Sequence, residues 1–550
     1  MSLPSGRLAA LARIALAAVG GAFVAWSFQP IGLWWLAWIG VAGLLVALLG
    51  RPSWWTTAGI AVAWGFTTAM IALPWIASFV GTVPYVALAV VLGLMQIPGI
   101  AVARAILGAD GGGRYGVSLA WPARIVGAAA AILAGEALLA RWPFGGFPWL
   151  RIGWGQLSGP LDAAAVLGGP ALVGFLAVLV GAGLASAVVK QWATAAVLIV
   201  LPMVVGLVAM PASGDDIGTV RVAAVQGNVP QLGLEFNAQA RAVLENHAEA
   251  TRDLAAAVRA GEEPQPDLVV WPENSSDVSP FRDARAARII DAAARDIGAP
   301  IIVGTFTYDD GVQNTMVLWD PEAGPVDGQR HEKIYLQPFG ETMPFRELLR
   351  KVTPLVDRAG DMTPGSGDGV IEVDVERDLA ENTEDAGPLR RIAVGIATCF
   401  EVIFDDAFRD AVDNGATILA TPTNNATFGY TDMTYQQLAM SRMRAIEHDR
   451  AVVVAATSGV SAIVGPDGSV AEDTEIFEQK VLTADLPLRD HRTIAARYGG
   501  AVEWAIVALA ALALIVVVRR AMGTAAERRH AAHQPESQPE PQKEQRVQAE

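Results

Sequence analysis

The sequence of 550 residues contains a single cysteine, Cys399, and six scattered histidines. One cysteine cannot form an intramolecular disulfide, so a disulfide scaffold is excluded and cysteine usage does not indicate the compartment. The histidines lack the short spacings of zinc sites. No glycine-rich phosphate loop of the GxxxxGK[ST] type is present. We therefore expect no metal ion and no other cofactor.

Charged residues are also scarce, at 17% of the chain, against about 25% in ordinary soluble domains. Hydrophobic residues make up 52%, and the net charge is −16. The first 210 residues hold nine Lys or Arg and three Asp or Glu, so nearly all of the acidic residues follow them. An acidic second half argues against nucleic acid as a partner, because nucleic acid requires a basic surface.

Long apolar runs fill the first part of the chain. A bilayer is spanned by about 20 apolar residues in a helix. Eight candidate spans fall at residues 8–28, 31–50, 57–80, 84–106, 124–140, 164–189, 192–210 and 501–518. This pattern predicts a membrane domain of seven helices over residues 1–210 and an eighth helix within 499–520.

Basic residues in the loops predict the orientation of these spans. With the N-terminus in the cytoplasm, the outer segments between spans contain only Arg141 and Arg151 as basic residues. Because cytoplasmic loops carry the excess of Lys and Arg, this orientation is preferred and places residues 211–498 outside the cytoplasm. The remaining segment, 521–550, is rich in Gln, Glu, Pro and Arg and is predicted to be a disordered cytoplasmic tail.

Residues 211–498 have the pattern of a soluble α/β domain. Short apolar runs suited to buried strands, such as Val220–Val225, Leu268–Trp271 and Ile392–Thr398, recur along this region. Helical stretches separate several of them. Strands that alternate with helices predict a layered α/β sandwich.

Three residues of this domain could act together chemically. Cys399 and Glu273 each follow an apolar run that predicts a strand, and Lys333 lies in a loop-like stretch rich in aromatics and proline. Taken singly, they could be a buried small side chain, a helix cap and a surface charge. Together, a carboxylate could deprotonate the thiol and an ammonium could stabilise the oxyanion, which favours acyl transfer through a thioester.

The motifs around these residues resemble a known family. Trp271-Pro272-Glu273, Lys333 followed by Pro338-Phe339-Gly340-Glu341, and Cys399-Phe400-Glu401 occur in the order of the Glu-Lys-Cys triad of the nitrilase superfamily. The Pro-Phe-Gly-Glu extension and the flanking membrane spans resemble its apolipoprotein N-acyltransferase branch. Further similar motifs are Gly146-Phe147-Pro148-Trp149 and Arg442-Met443-Arg444.

The resemblance implies a fold and an activity. The implied fold has eight transmembrane helices with an inserted nitrilase-like α-β-β-α sandwich. The implied activity moves a fatty acyl chain from a membrane phospholipid to the N-terminal cysteine amine of a diacylglyceryl apolipoprotein. The enzyme would be a multi-pass protein of the bacterial inner (plasma) membrane with an extracytoplasmic catalytic domain, and we expect a monomer.

The resemblance also implies roles for individual residues. Glu273 would be the general base, Lys333 the oxyanion stabiliser and Cys399 the nucleophile. The expected supporting residues of the active site are Glu341, Glu401, Phe400, Asn314 and Arg350. The expected contacts to lipid or substrate are Glu136, Trp149, Phe236, Asn425 and Phe428.

The acyl donor lies in lipid, so the site should meet the bilayer surface and exclude water. The loops 338–355 and 426–433 are predicted to cover the site. Arg141 and Arg151, in a loop rich in aromatics, could hold a lipid phosphate, and Glu136 is either a functional polar contact or a side chain that reaches the interface.

Two other functions fit parts of this pattern. A membrane-anchored amidase that hydrolyses small amides would use the same triad. A transporter or assembly platform with an outer binding module would use the spans but would not need Cys399.

Overall fold

The structure, a computed structural model, describes residues 6–109, 119–209, 215–229, 241–351, 356–357, 360–380 and 388–532. The N-terminal half is helical. Its helices are α1 (Arg7–Ala25), α2 (Trp34–Leu48), α3 (Trp54–Ala72), α4 (Trp75–Val80), α5 (Thr82–Met95), α6 (Ile97–Leu107), α7 (Trp121–Leu139), α8 (Ala165–Val188) and α9 (Trp192–Val208). Phe236, an expected substrate contact, lies outside the described residues.

Each predicted span coincides with a helix or a pair of consecutive helices. Two apolar helices, α2 and α9, are shorter than a full span. Among the described residues, five helical stretches are long and apolar enough to cross a bilayer: Arg7–Ala25, Thr82–Leu107, Trp121–Leu139, Asp162–Val188 and Ile494–Gly523. The protein therefore has a membrane half with about five to seven spanning helices by length and composition, and a count of eight stays a prediction.

Small residues let the membrane helices approach one another closely. A Cβ added at Gly20 of α1 would lie 2.7 Å from the carbonyl oxygen of Gly40 in α2, and one added at Gly40 would lie 2.4 Å from the oxygen of Gly20. In lipid, where apolar burial gives no net attraction between helices, such contacts supply the packing energy.

The second half contains twelve strands. In chain order they are β1 (Gly218–Gln226), β2 (Leu268–Val270), β3 (Ile301–Thr307), β4 (Gln313–Asp320), β5 (Gly324–Glu332), β6 (Val370–Asp374), β7 (Arg391–Ile396), β8 (Ile418–Thr423), β9 (Val452–Ala456), β10 (Ala462–Val464), β11 (Val470–Asp473) and β12 (Lys480–Leu488). They form two six-stranded sheets, ordered β12-β1-β2-β3-β4-β5 and β11-β10-β9-β8-β7-β6. The pairs at the centre of each sheet are parallel, and the outer pairs are antiparallel.

The sheets pack face to face between two helical layers. The helices of this half are α10 (Ala242–Ala260), α11 (Ala284–Ile297), α12 (Arg346–Leu349), α13 (Asp405–Asp413) and α14 (Met433–His448). Alternate residues of β1 face opposite ways: Val220 and Val222 join the core between the sheets, whereas Ala223 and Val225 pack with α10 and α11. The predicted layered α/β sandwich is confirmed.

The other helical layer is shared with the membrane half. Phe408 of α13 and Met443 of α14 belong to the same apolar core as Trp154 and Val173 of the membrane half. The α/β domain and the membrane helices therefore pack against each other through one continuous apolar core.

The last helix, α15, runs from Ile494 to Ala532. It begins before the predicted span and continues twelve residues into the segment 521–550 that composition predicted to be disordered. Residues 521–532 are mostly Ala, Arg and Glu, which are strong helix formers, so they prolong the preceding helix.

A buried arginine connects the two halves. Arg151, only 6% exposed, lies in the loop between α7 and α8. Its guanidinium is 2.6 Å from Asp405 Oδ2 of α13 and 3.0 Å from Glu503 Oε1 of α15. Burial opposes the charge, but these carboxylates raise the pKa of Arg151 above its ordinary value. Arg151 is thus fully engaged by protein and is not the free phosphate ligand that its position in the sequence allowed.

We expect Arg151→Ala to lower the free energy of unfolding by about 3 kcal/mol, because it removes one of the two cations that pair with each of the carboxylates Asp405 and Glu503. Thermal denaturation in detergent measures this loss. Arg221→Ala is the matched control, since Arg221 pairs with Asp485 at the surface and such pairs contribute about 0–1 kcal/mol. Equal losses in the two variants would contradict the assignment.

Candidate active site

Glu273, Lys333 and Cys399 come together at one end of the two sheets. Glu273 follows β2, Lys333 directly follows β5, and Cys399 follows β7. All three side chains are buried, with exposures of 3%, 2% and 6%. The structure therefore brings Glu273 and Cys399, which are more than 120 positions apart in the chain, into one site with Lys333.

Two carboxylates hold the ammonium of Lys333. Its Nζ lies 2.9 Å from Glu273 Oε1 and 2.8 Å from Glu341 Oε1. Burial by itself would lower the pKa of Lys333, but the negative charges of Glu273 and Glu341 outweigh it and raise the pKa well above its ordinary value. Asn314 Nδ2 donates to the same two oxygens, at 2.7 and 3.1 Å. Lys333 is therefore a fixed positive charge at neutral pH.

Further hydrogen bonds hold the two carboxylates themselves. The backbone N–H of Asn424 donates to Glu273 Oε2 at 2.9 Å. The backbone N–H of Gln337 donates to Glu341 Oε2 at 2.7 Å. Each carboxylate is thus fixed through both oxygens, and neither can rotate away from Lys333 without breaking a bond.

Cys399 occupies a tight turn. Its φ is 53°, in the left-handed region that few residues other than glycine adopt. It opens the short helix Cys399–Ile403, where the Thr398 and Glu401 side chains form a reciprocal capping box. Such strained positions persist where the surroundings hold the backbone, as the capping box does here.

The thiol of Cys399 is protonated in the resting site. Burial and, after it, the charge of Glu273 together raise its pKa to about 12, against the opposing effect of Lys333. Thr423 is a hydrogen-bond partner of the thiol. A protonated thiol needs a base before it can act as a nucleophile. Glu273 is the carboxylate whose charge raises the pKa of this thiol most.

Glu401 ties the cysteine turn to the lysine loop. Its Oε1 accepts the backbone N–H groups of Ile334 and Tyr335 at 2.7 and 3.1 Å. Its Oε2 accepts the N–H of Thr398 at 2.7 Å and lies 2.8 Å from His331 Nε2. Burial opposes ionisation, but His331 and Lys333 hold the pKa of Glu401 below its ordinary value.

Aromatic residues from both halves form one wall of the site region. The ring of Phe400, next to the cysteine, stacks at 6.4 Å on Trp149 of the membrane half. Phe428 makes an edge contact with Trp75 at 5.3 Å. Gln436 Oε1 accepts from the indoles of Trp75 and Trp149 at 3.1 and 2.7 Å. Gln436 and Trp75 carry no local sequence signal for this role, because their contacts join residues more than 280 positions apart.

Three of the expected contacts to lipid or substrate are buried side chains. Trp149, Asn425 and Phe428 are 1%, 4% and 6% exposed. Asn425 Nδ2 donates to Thr434 Oγ1 at 3.0 Å, which anchors its loop to α14. Their contact with lipid or substrate stays a prediction.

Two other expected residues lie outside the network. Glu136 Oε1 accepts the backbone N–H of Ile152 at 3.1 Å, so it holds the loop that carries Arg151. Arg350 is exposed and pairs with Glu347 and Asp357, at 2.7 and 3.0 Å, on its own surface segment. A supporting role of Arg350 in the site stays a prediction.

The segment after Lys333 reaches the membrane half. Phe339 and Phe345, which are 42% and 68% exposed, each make an edge contact of 5.7 Å with Phe144.

Among the described residues, no group of His, Cys, Asp and Glu is arranged to hold a metal ion.

The two-sheet α/β sandwich is a carbon-nitrogen hydrolase domain. The family model described as "Carbon-nitrogen hydrolase" matches residues 221–496, and that described as "Apolipoprotein N-acyltransferase N-terminal domain" matches residues 20–183. An apolipoprotein N-acyltransferase of Mycolicibacterium smegmatis is 39% identical, over 91% of this chain and 84% of its own length. The chain belongs to the apolipoprotein N-acyltransferase family.

A more distant relative agrees with this assignment. An apolipoprotein N-acyltransferase of Geobacter metallireducens is 29% identical over 92% of this chain and 95% of its own length. Among solved structures, a nitrilase-superfamily amidase from Nesterenkonia is 19% identical, with a TM-score of 0.35, and the match covers 52% of this chain and 95% of the amidase.

We expect Glu273→Gln to lower the pKa of the Cys399 thiol, because it removes the charge that adds to burial in raising it. Alkylation by iodoacetamide measures this, since one pKa unit changes the thiolate fraction about tenfold. In the unmodified protein the alkylation rate should rise with pH up to the limit of stability. Lys333→Met should slow alkylation, and acceleration by that change would contradict the geometry.

We expect Glu341→Gln to slow acylation of Cys399 by about 10–100-fold, the loss of one charge-assisted hydrogen bond to Lys333. Covalent labelling of Cys399 in a single turnover is the measurement. Glu347→Gln is the matched control, because Glu347 lies on the same segment with its side chain 85% exposed. Equal rates for the two variants would remove Glu341 from the site.

Proposed function

We propose that this enzyme transfers a fatty acyl chain from a membrane phospholipid, through a thioester on Cys399, to the N-terminal cysteine amine of a diacylglyceryl apolipoprotein. The observation that supports this proposal most directly is the protonated, buried thiol of Cys399, which shares a site with the carboxylate of Glu273 and the ammonium of Lys333. Phe400, the residue after Cys399, stacks on Trp149 of the membrane half, which supports a donor that comes from the membrane.

The first half-reaction forms the thioester. Glu273 takes the proton of the Cys399 thiol, and the sulfur attacks the ester carbonyl of the phospholipid. Lys333 stabilises the oxyanion as the carbon–sulfur bond forms. The carbon–oxygen bond of the ester then breaks, Glu273 returns the proton to the leaving alkoxide, and lysophospholipid departs.

The second half-reaction consumes the thioester. The amine of the apolipoprotein attacks the thioester carbonyl, and Glu273 accepts a proton from the nitrogen. The carbon–sulfur bond breaks, the thiolate regains a proton from Glu273, and an amide remains on the lipoprotein. One base thus serves both steps, and no external reductant or oxidant is needed.

The carboxylates and the amide around Lys333 hold its ammonium in a fixed position. A buried ammonium held by Glu273, Glu341 and Asn314 is already oriented when charge develops on the substrate oxygen, so little reorganisation is required. Glu341 also keeps Lys333 charged while Glu273 is transiently protonated.

Water exclusion favours transfer over hydrolysis. The loop around Phe428 packs on α4, and the segment with Phe339 and Phe345 contacts Phe144. These apolar contacts support a cover over the thioester, which would otherwise lose its acyl chain to water. They also disfavour the alternative of a hydrolase for small amides, whose chemistry requires water at the same carbon.

We infer that the catalytic domain lies outside the cytoplasm. Arg13 donates to the Ala47 and Leu49 carbonyls, and Arg104 donates to that of Pro52. These basic residues gather at the end of the helices opposite the catalytic domain, as cytoplasmic residues do. On the catalytic side, Arg151 is neutralised by Asp405 and Glu503.

The acyl-enzyme provides the decisive test. After incubation with vesicles of one defined phospholipid, the intact mass should rise by one fatty acyl group on Cys399. Cys399→Ala should show no gain, and Glu273→Gln should be slower by about 100-fold or more. Turnover of small amides without any lipid-derived adduct would overturn the proposal in favour of an amidase.

A further inference from the structure

His331 is a buried histidine next to the site that the mechanism above does not use. It lies near the end of β5, two residues before Lys333, and pairs with Met316 of β4. Its Nε2 is 2.8 Å from Glu401 Oε2, and the two side chains are 3% and 1% exposed. At this distance the two buried polar groups form a hydrogen bond, as buried polar groups in folded proteins generally do.

Glu401 accepts four hydrogen bonds among the described residues, three from backbone N–H groups and one from a side chain. Two come from the backbone just after Lys333, and one comes from the backbone of Thr398, just before Cys399. The fourth partner, His331, is the one that uses a side chain. The position of this single carboxylate therefore determines where the ammonium and the thiol lie relative to each other.

The contact also spans the two sheets. His331 belongs to the outermost strand of the first sheet, whereas Glu401 follows β7 of the second. Backbone hydrogen bonds cannot fix the spacing between stacked sheets, because they run within each sheet. A side-chain bond between the sheets can fix it, and this one lies beside the reacting groups.

We propose that His331 is a positioning residue for the acyl transfer: by donating to Glu401 it holds the Lys333 loop in register with the Cys399 turn. The inference rests on the proposed function and identifies a residue that acts through Glu401 without touching substrate. Without it, Oε2 of a buried carboxylate keeps one donor, and the carboxylate must shift or take a proton.

The consequence differs from that of a general loss of stability. Displacement of Lys333 from Cys399 weakens oxyanion stabilisation and leaves the surfaces that bind lipid unchanged. The single-turnover acylation rate at saturating phospholipid should therefore fall by about 10–100-fold. The phospholipid concentration that gives half the maximal rate should stay the same.

A pair of matched substitutions isolates the hydrogen bond. His331→Gln places an amide donor near the position of Nε2, whereas the shorter His331→Asn places it near Nδ1, out of reach of Glu401. We expect the Gln variant to acylate within a few-fold of the unmodified enzyme and the Asn variant to show the full loss. His247→Gln, at a buried histidine of α10 that contacts the Val243 carbonyl, reports the cost of losing a buried imidazole.

The measurements use the full chain in vesicles of phosphatidylethanolamine, with thermal midpoints recorded in parallel. Equal acylation rates in the Gln and Asn variants, or a loss that only follows the folded fraction, would overturn the inference. Alkylation of Cys399 by iodoacetamide, slower in the Asn variant than in the Gln variant, tests the same register without lipid. Failure of the proposed function is distinguished by an unmodified enzyme that alkylates but never acquires an acyl group.

Discussion

The ammonium of Lys333 lies in a buried site, and the remaining architecture depends on keeping it charged there. An isolated cation would lose several kcal/mol on leaving water, so a buried lysine without partners would become neutral. Glu273 and Glu341 supply the compensating charge, and Asn314 fixes both carboxylates. Glu273 is also the carboxylate whose charge raises the pKa of the Cys399 thiol most, so the groups that keep Lys333 charged also form the environment of the thiol.

The helical layer beneath the second sheet allows this site to work at a membrane. In a soluble sandwich that layer would face water, whereas here Phe408 and Met443 share a core with the membrane helices. Gln436 satisfies two buried indoles across the junction, and Arg151 neutralises carboxylates from α13 and α15. Polar groups at a buried junction specify its geometry because each must find its partner.

Local patterns in the sequence predicted the Glu-Lys-Cys motif, the apolar spans and the alternation of strands and helices. The helices and strands of the structure lie at the segments that these patterns indicated. The supporting residues were not predictable in the same way. Arg350 looked equivalent to other loop arginines until its neighbours Glu347 and Asp357 were known, and His331 had no distinguishing spacing. Residues 521–532 were misjudged because composition averaged over a long tail concealed a stretch of strong helix formers.

By itself, the sequence determined which groups could react and which segments could enter a bilayer, because nucleophilicity, charge and hydropathy belong to individual side chains and short runs. Only the tertiary structure decided which acid faces the lysine, that Glu401 links two loops, and that Trp149, Asn425 and Phe428 are buried. These properties depend on distances between residues far apart in the chain. Such distances are set by packing of the two sheets and the membrane helices, and no local pattern contains them.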